Sequence, residues 1–262
     1  MFKTYEFIFA GMPSSMYGLM VYDFSGNSHS DNPFGNKAEI IETRIPGRVR
    51  PLHYGVNYNE EPLSFKLVFG SEKPLDRWDL QGISQWLTGY QQYQWLQIEQ
   101  PDMTYMSFRC LIKKLTPITV GWYPHAFEAE VICDCPYAYG EEFTETINFS
   151  NGMSYYLFSD SSAKDPCKPT MNIITTSGTT FAITNQSDNN RVFKIDGLPS
   201  SGAQIYVDNE NCIIEDKNNT QRDYYAGFND NFFRIIPGDN YLQFTGSGTI
   251  TITGRYYYNV GA

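Results

Sequence analysis

Hydrophobic and polar positions alternate along most of this chain. From Phe2 to Phe9, and again from Met20 to Phe24 after the Gly-Met-Pro-Ser-Ser turn, aromatic or apolar residues alternate with polar ones, as in strands with one buried face. LSFKLVFG places Leu63, Phe65, Leu67 and Phe69 on one side and Ser64, Lys66 and Val68 on the other. The period changes once. In KPLDRWDLQGISQWLTGY, Leu75, Trp78, Ile83, Trp86 and Leu87 recur at spacings of three, four and five, with Pro74 near the start and Gly89 just past the end. That pattern predicts a helix over about 74–88. Between the strand signals, a polar, Gly-rich passage from Ser25 to Asn36 leads into AEIIETRIPGRVRPLHYGVNYNEE, whose Pro and Gly punctuation predicts an exposed loop or arm able to reach a neighbour.

After the helix, WLQIEQ, TYMSFRCLIKKLTPITV and HAFEAEVICDCPYAY follow with no second helical stretch, which implies antiparallel pairing. Beyond PYAYG the pattern shifts to short strands broken by Asn, Asp and Gly, so the boundary is expected there, giving an N-terminal domain over 1–140 and a C-terminal one over 141–262. In the second half ETINFS, YYLF, TMNIITT, TFAIT, VFKIDG, AQIYVD, CIIED, FFRIIPG, YLQFTG and TITITGRYYYN read as successive strands. Pro237-Gly238-Asp239-Asn240 and Gly246-Ser247-Gly248 read as turns between them. The fold class is mainly β: an antiparallel β domain with one helix, then a galectin-like or jelly-roll β-sandwich.

Composition narrows the function classes. Aromatics make up 16%, with 20 Tyr and 18 Phe, which suits pleated, half-buried surfaces. A net charge of -10 argues against specific nucleic-acid binding, which needs clustered Lys and Arg. No stretch approaches the roughly 20 apolar residues of a spanning helix, and no membrane insertion is expected. The five cysteines, Cys110, Cys133, Cys135, Cys167 and Cys212, follow no disulfide framework and read as reduced thiols.

Candidate chemistry is sparse. Cys133-x-Cys135 would put two thiols on one strand face, but two ligands do not make a metal site, so buried thiols are the simpler reading. Asp208 to Asn211 resembles a calcium loop but lacks the glycine and terminal glutamate of that pattern, and a hairpin turn explains it as well. His29, His53 and His125 are accompanied by no catalytic signature, so neither enzyme activity nor a cofactor is expected. Tyr256 and Tyr258 would share one strand face and Tyr257 the other. Tyr224, Tyr225 and Tyr257 are candidate sugar or partner contacts, with core filling as the alternative.

The order of motifs resembles one family. The Ile45-Pro46-Gly47-Arg48 loop before a strand, the helix ending in Trp86-Leu87, and the closing segment Cys133 to Tyr137 look like the N-terminal domain of siphophage distal tail proteins; FKIDG, IYVDNENCII and FFRIIPGDNYLQF resemble that family's galectin-like domain. The resemblance implies a structural virion protein: a homohexameric ring at the distal end of a long non-contractile tail, assembled in the bacterial host cytoplasm. It implies partners in the tail tube protein, the tail-tip hub or tail-associated lysin, and receptor-binding proteins or side fibres. Ile45, Pro46, Gly47, Arg48 and Arg50, with the Glu60-Glu61 turn, are the expected ring contacts. The alternative is a carbohydrate- or receptor-binding module acting in host adhesion.

Overall fold

The computed structural model describes residues 6–24, 38–58, 61–99, 105–219 and 221–260. The chain divides into two compact units, Met1–Tyr139 with Asn259–Ala262, and Gly140–Tyr258. The first unit holds β1 (Phe7–Phe9), β2 (Met12–Pro13), β3 (Met20–Phe24), β4 (Ala38–Thr43), β5 (Leu52–Tyr58), β6 (Ser64–Gly70), α1 (Arg77–Thr88), β7 (Gln94–Ile98), β8 (Ser107–Val120) and β9 (Tyr123–Cys133). β10 (Ala138–Phe149) leads into the second unit, which continues with β11 (Ser154–Ser159), β12 (Thr170–Asn185), β13 (Arg191–Asp196), β14 (Ala203–Asp208), β15 (Ile213–Asp216) and β16 (Gly238–Tyr258).

In the first unit the strands pair antiparallel in the order β2-β1-β7-β8-β9-β6-β3. Alternation along β6 and β9 turns Leu67 and Phe69 inward beside Phe127, Ala129 and Val131. α1 covers that face through Ile83, Trp86 and Leu87, which are three and four residues apart and therefore share one side of the helix. Trp86 stacks on Phe7 and Tyr17, and its indole Nε1 donates to the Phe9 carbonyl at 3.2 Å. The helix starts at Arg77 rather than near Pro74. Asp76 fixes that start: its carboxylate accepts from the Trp78 and Asp79 amides, while Asp79 accepts from the Asp76 amide, a reciprocal capping box.

β4 and β5 form a separate two-stranded ribbon. Between them the Arg48 amide donates to the Ile45 carbonyl at 3.1 Å, closing a turn with Pro46 and Gly47 at its centre. Gly47 has φ +85°, the value the third position of a type II turn demands, and proline suits the position before it.

The second unit is a sandwich. One sheet runs β15-β14-β12-β16-β10; in the other, β12 and β16 pair with each other again and carry β13 and β11 at the two edges. β12 and β16 therefore serve both layers. Their ladder shifts register between Thr175 and Ala182, opposite Thr245 to Gly248. The segment Gly246-Ser247-Gly248 is thus a bend inside one long strand, not a turn between two, and TMNIITT and TFAIT are likewise one strand. A Cβ on Gly248 would lie 2.0 Å from the Ile174 carbonyl, so only glycine lets the two chains cross this closely. Between the layers lie Phe149, Phe181 and Phe244, with ring centroids 5.2 and 5.3 Å from Phe149, and Ile173, Ile205 and Ile250. FFRIIPG also departs from expectation. Among the described residues it makes one isolated bridge, Ile235 to Cys167, before Gly238 opens β16, and Phe233 and Ile235 are buried in the core.

Candidate functional site

The features that stand out in the first unit are exposed apolar surfaces. Every residue from Ile40 to Arg50 is exposed, including Ile45, Pro46, Gly47, Arg48 and Arg50. Val49 at the ribbon tip is 99% exposed, and Ile40, Ile41 and Tyr54 are also open to solvent. Among the described residues the ribbon pairs with no third strand. An unbacked two-stranded ribbon is marginal in water, so exposed branched side chains on it mark a surface that gains from being covered. Glu61 is exposed, while Glu60 lies outside the described residues.

Sequence reasoning missed a second surface. β8 and β9 extend into a hairpin whose turn carries Val120, Trp122 and Tyr123, and Trp122 is 95% exposed. Trp78, in the first turn of α1, is also exposed, and the Leu75 amide just before the helix donates to the Pro124 carbonyl beside the turn of this hairpin. The signal was present as apolar residues flanking Gly121, because a turn cannot bury its own tip.

The tyrosines singled out from sequence fare differently. Tyr224 is 3% exposed and its hydroxyl donates to Asp216 Oδ2 at 2.7 Å, so it is a buried anchor and offers no ring to a ligand. Burial opposes the charge on Asp216, yet hydrogen bonds from Tyr224 and from the Asn218 and Asn219 amides hold its carboxyl below the usual 3.8. Tyr225 is exposed, and its hydroxyl is taken up between the Ile214 amide and the Cys212 carbonyl. Tyr257 is half-buried.

Chemistry at the cysteines is also set by burial. β9 ends at Cys133, so Cys135 sits in the following bend and donates to the Tyr137 carbonyl; the two thiols do not share a strand face. Cys133 lies opposite Cys110 on β8. Burial pushes the Cys110 and Cys167 thiols up to about 12 and Cys133 higher still, which makes all three poor nucleophiles and poor metal ligands at neutral pH. Among the described residues, no group of three or more His, Cys, Asp or Glu side chains is placed to hold a metal ion. Asp208 closes the β14–β15 hairpin by accepting from the Glu210 and Asn211 amides, so its carboxylate serves the turn. His53 is exposed on the ribbon and His125 half-buried on β9, while His29 lies outside the described residues.

These surfaces belong to a two-unit, mainly β protein, and the comparisons agree with that class. A family described as phage tail protein N-terminal domain matches residues 2–135, and one described as phage tail C-terminal domain matches residues 137–254. The chain belongs to this family of phage tail proteins, and is thus a virion component with a structural role in the tail. Its fold is similar to the crystal structure of the Dit (gp 19.1) protein of phage SPP1, described there as a paradigm of hub adsorption apparatus in Gram-positive infecting phages. That match has a TM-score of 0.67 at 15% identity and covers 97% of this chain and 100% of that one. The baseplate of phage P2, in its activated conformation with calcium, matches with a TM-score of 0.48 at 10% identity, over 91% of this chain and 90% of that chain. No curated protein matches the sequence.

Proposed function

We propose that the protein forms a homohexameric ring at the distal end of a long non-contractile phage tail, joining the tail tube to the tail-tip hub or tail-associated lysin and to host-recognition proteins or fibres. It acts by fitting against copies of itself and its neighbours and carries out no bond making or breaking. The observation that carries this reading is the β4–β5 ribbon, whose Ile40 and Ile41, with Ile45 and Val49 in the connecting turn, are exposed with no backing layer among the described residues. A neighbouring copy supplies that layer. Because the ribbon and the surface it covers are different patches, the contact is heterologous, and such contacts close into rings when the rotation fits. The count of six rests on the likeness to distal tail proteins, supported by the fold match to the SPP1 hub protein over the whole chain. Ile45, Pro46, Gly47, Arg48 and Arg50, with Glu61, are the proposed ring contacts. Assembly takes place in the host cytoplasm before the particle is released.

Light scattering after size-exclusion chromatography, followed by negative-stain imaging, tests this. Six copies of the 30.0 kDa chain give a ring of about 180 kDa with six-fold views. A species that stays at the mass of one chain at every concentration, or a ring of another order, overturns the reading.

A further inference from the structure

The second unit carries an aromatic surface that its core does not need. β11 is an edge strand, pairing among the described residues with β16 alone. Its alternation buries Leu157 and Ser159 and turns Tyr156 and Phe158 outward, 51% and 56% exposed. Across the ladder Tyr156 faces Tyr241, itself 52% exposed, and Phe158 faces Asp239. The Tyr156 and Tyr241 rings lie 5.4 Å apart, tilted by 42°. The Tyr156 hydroxyl donates to Asp239 Oδ1 at 2.8 Å, which fixes the ring and the carboxylate together. Gln243 and Ser154 continue the face along the same two strands, and Thr184 on β12 lies opposite Gln243.

We infer that this face, Tyr156, Phe158 and Tyr241 with Asp239 and Gln243, is a binding platform for an uncharged hexopyranose unit of a surface polysaccharide. The chemistry selects that ligand. A pyranose ring presents a C–H face that packs on an aromatic ring and hydroxyls at its rim that donate to carboxylates and exchange hydrogen bonds with carboxamides. Tilted neighbouring rings beside a fixed carboxylate supply both halves. No Lys or Arg occurs in 154–159, 180–186 or 238–245, so polyanions such as nucleic acid or acidic lipid headgroups find no countercharge there, and the chain's net charge of -10 repels them further. Exposed aliphatic side chains, which an apolar peptide would seek, are likewise missing from these segments. Tyrosine also loses little freedom on binding, which suits a shallow platform. This inference rests on the second unit alone, so ring formation and sugar binding stand or fall separately.

The test is saturation-transfer NMR on the full chain with neutral glucan, galactan, rhamnan and N-acetylglucosamine oligosaccharides at about 5 mM, a level that detects weak binding near about 1 mM. At least one neutral oligosaccharide should bind with a Kd of about 0.1–1 mM, and Tyr241→Ala and Tyr156→Ala should each weaken it by about tenfold or more. Tyr241→Phe, which keeps the ring, should stay within about threefold of the native chain. Both tyrosines are half exposed, and thermal melts of the variants matching the native chain show that the loss is local. No binding by any member of the panel overturns the proposal, as does binding that survives both alanine variants. A loss of association with a protein partner in those variants, without any sugar signal from the native chain, assigns the face to that partner instead and equally overturns it.

Discussion

The β4–β5 ribbon and the β12–β16 ladder are both antiparallel pairs, yet they are held by different things. Along β12, Met171, Ile173, Phe181 and Ile183 are sealed inside the sandwich, and Leu242, Phe244, Ile250 and Ile252 of β16 are buried with them. Along the ribbon, Ile40 and Ile41 are open to water although its register is interrupted by one shift and that of the β12–β16 ladder by two. Backbone hydrogen bonds exchange for bonds to water and contribute little net, about 1 kcal/mol each, so side-chain burial decides which ladder stands alone. The sandwich is self-sufficient. The ribbon leaves its apolar residues exposed.

That contrast sets the size of each expected effect. Phe181→Ala removes a fully buried ring packed on Phe149 and Phe193 and should cost about 3–5 kcal/mol in denaturant unfolding, reported by the second unit. Asn240→Ala comes next, at about 2–3 kcal/mol. Asn240 is fully buried, donating to the Ile236 and Gly238 carbonyls and accepting from the Ile236 amide and Asn185 Nδ2, all of which would lose their partner. Arg234→Ala should cost about 2 kcal/mol, because it strips the two-pronged contact at 2.6 and 2.8 Å from the buried Asp188 carboxylate. The Arg234 guanidinium holds that carboxyl below its ordinary 3.8. A depressed folded pKa contributes stability that is present above about 3.8 and lost as pH falls through the folded value, so the native chain should weaken below pH 4 and Arg234→Ala should show a shallower acid loss. The smallest effect on folding belongs to the ribbon: Val49→Asp and Ile41→Asp should change unfolding free energy by less than about 0.5 kcal/mol. Yet a charge buried in the ring contact should weaken self-association by about tenfold or more in sedimentation experiments, while the same change at exposed Gln221 should not.

The fold class was legible because alternation is a local signal. Leu67 and Phe69 announced the buried side of β6, and Ile83, Trp86 and Leu87 announced the covered side of α1. Where a strand bends without ending, local signals fail. Gly246 and Gly248 look like turn residues, and only the neighbouring β12 shows that they let two long strands change layers together. Tyr224 and Tyr225 show the same limit, since adjacent tyrosines carry no mark of which one will find a buried carboxylate. The Tyr156 and Phe158 face was readable from YYLF, where Leu157 fixes the inward parity; its meaning depended on Tyr241, which arrives from a strand over eighty residues away. The ribbon was legible as an arm but not as a paired element, because its pattern lacks the periodic burial that a covered strand imposes.

Amide hydrogen exchange across Ala38–Tyr58, measured on one preparation diluted from the assembled state to the single chain, tests the account most directly. The ribbon amides should be protected in the assembly and exchange freely in the dilute chain, while β12 and β16 stay protected in both. Equal protection of the ribbon at every concentration, or a preparation that never associates, would contradict it.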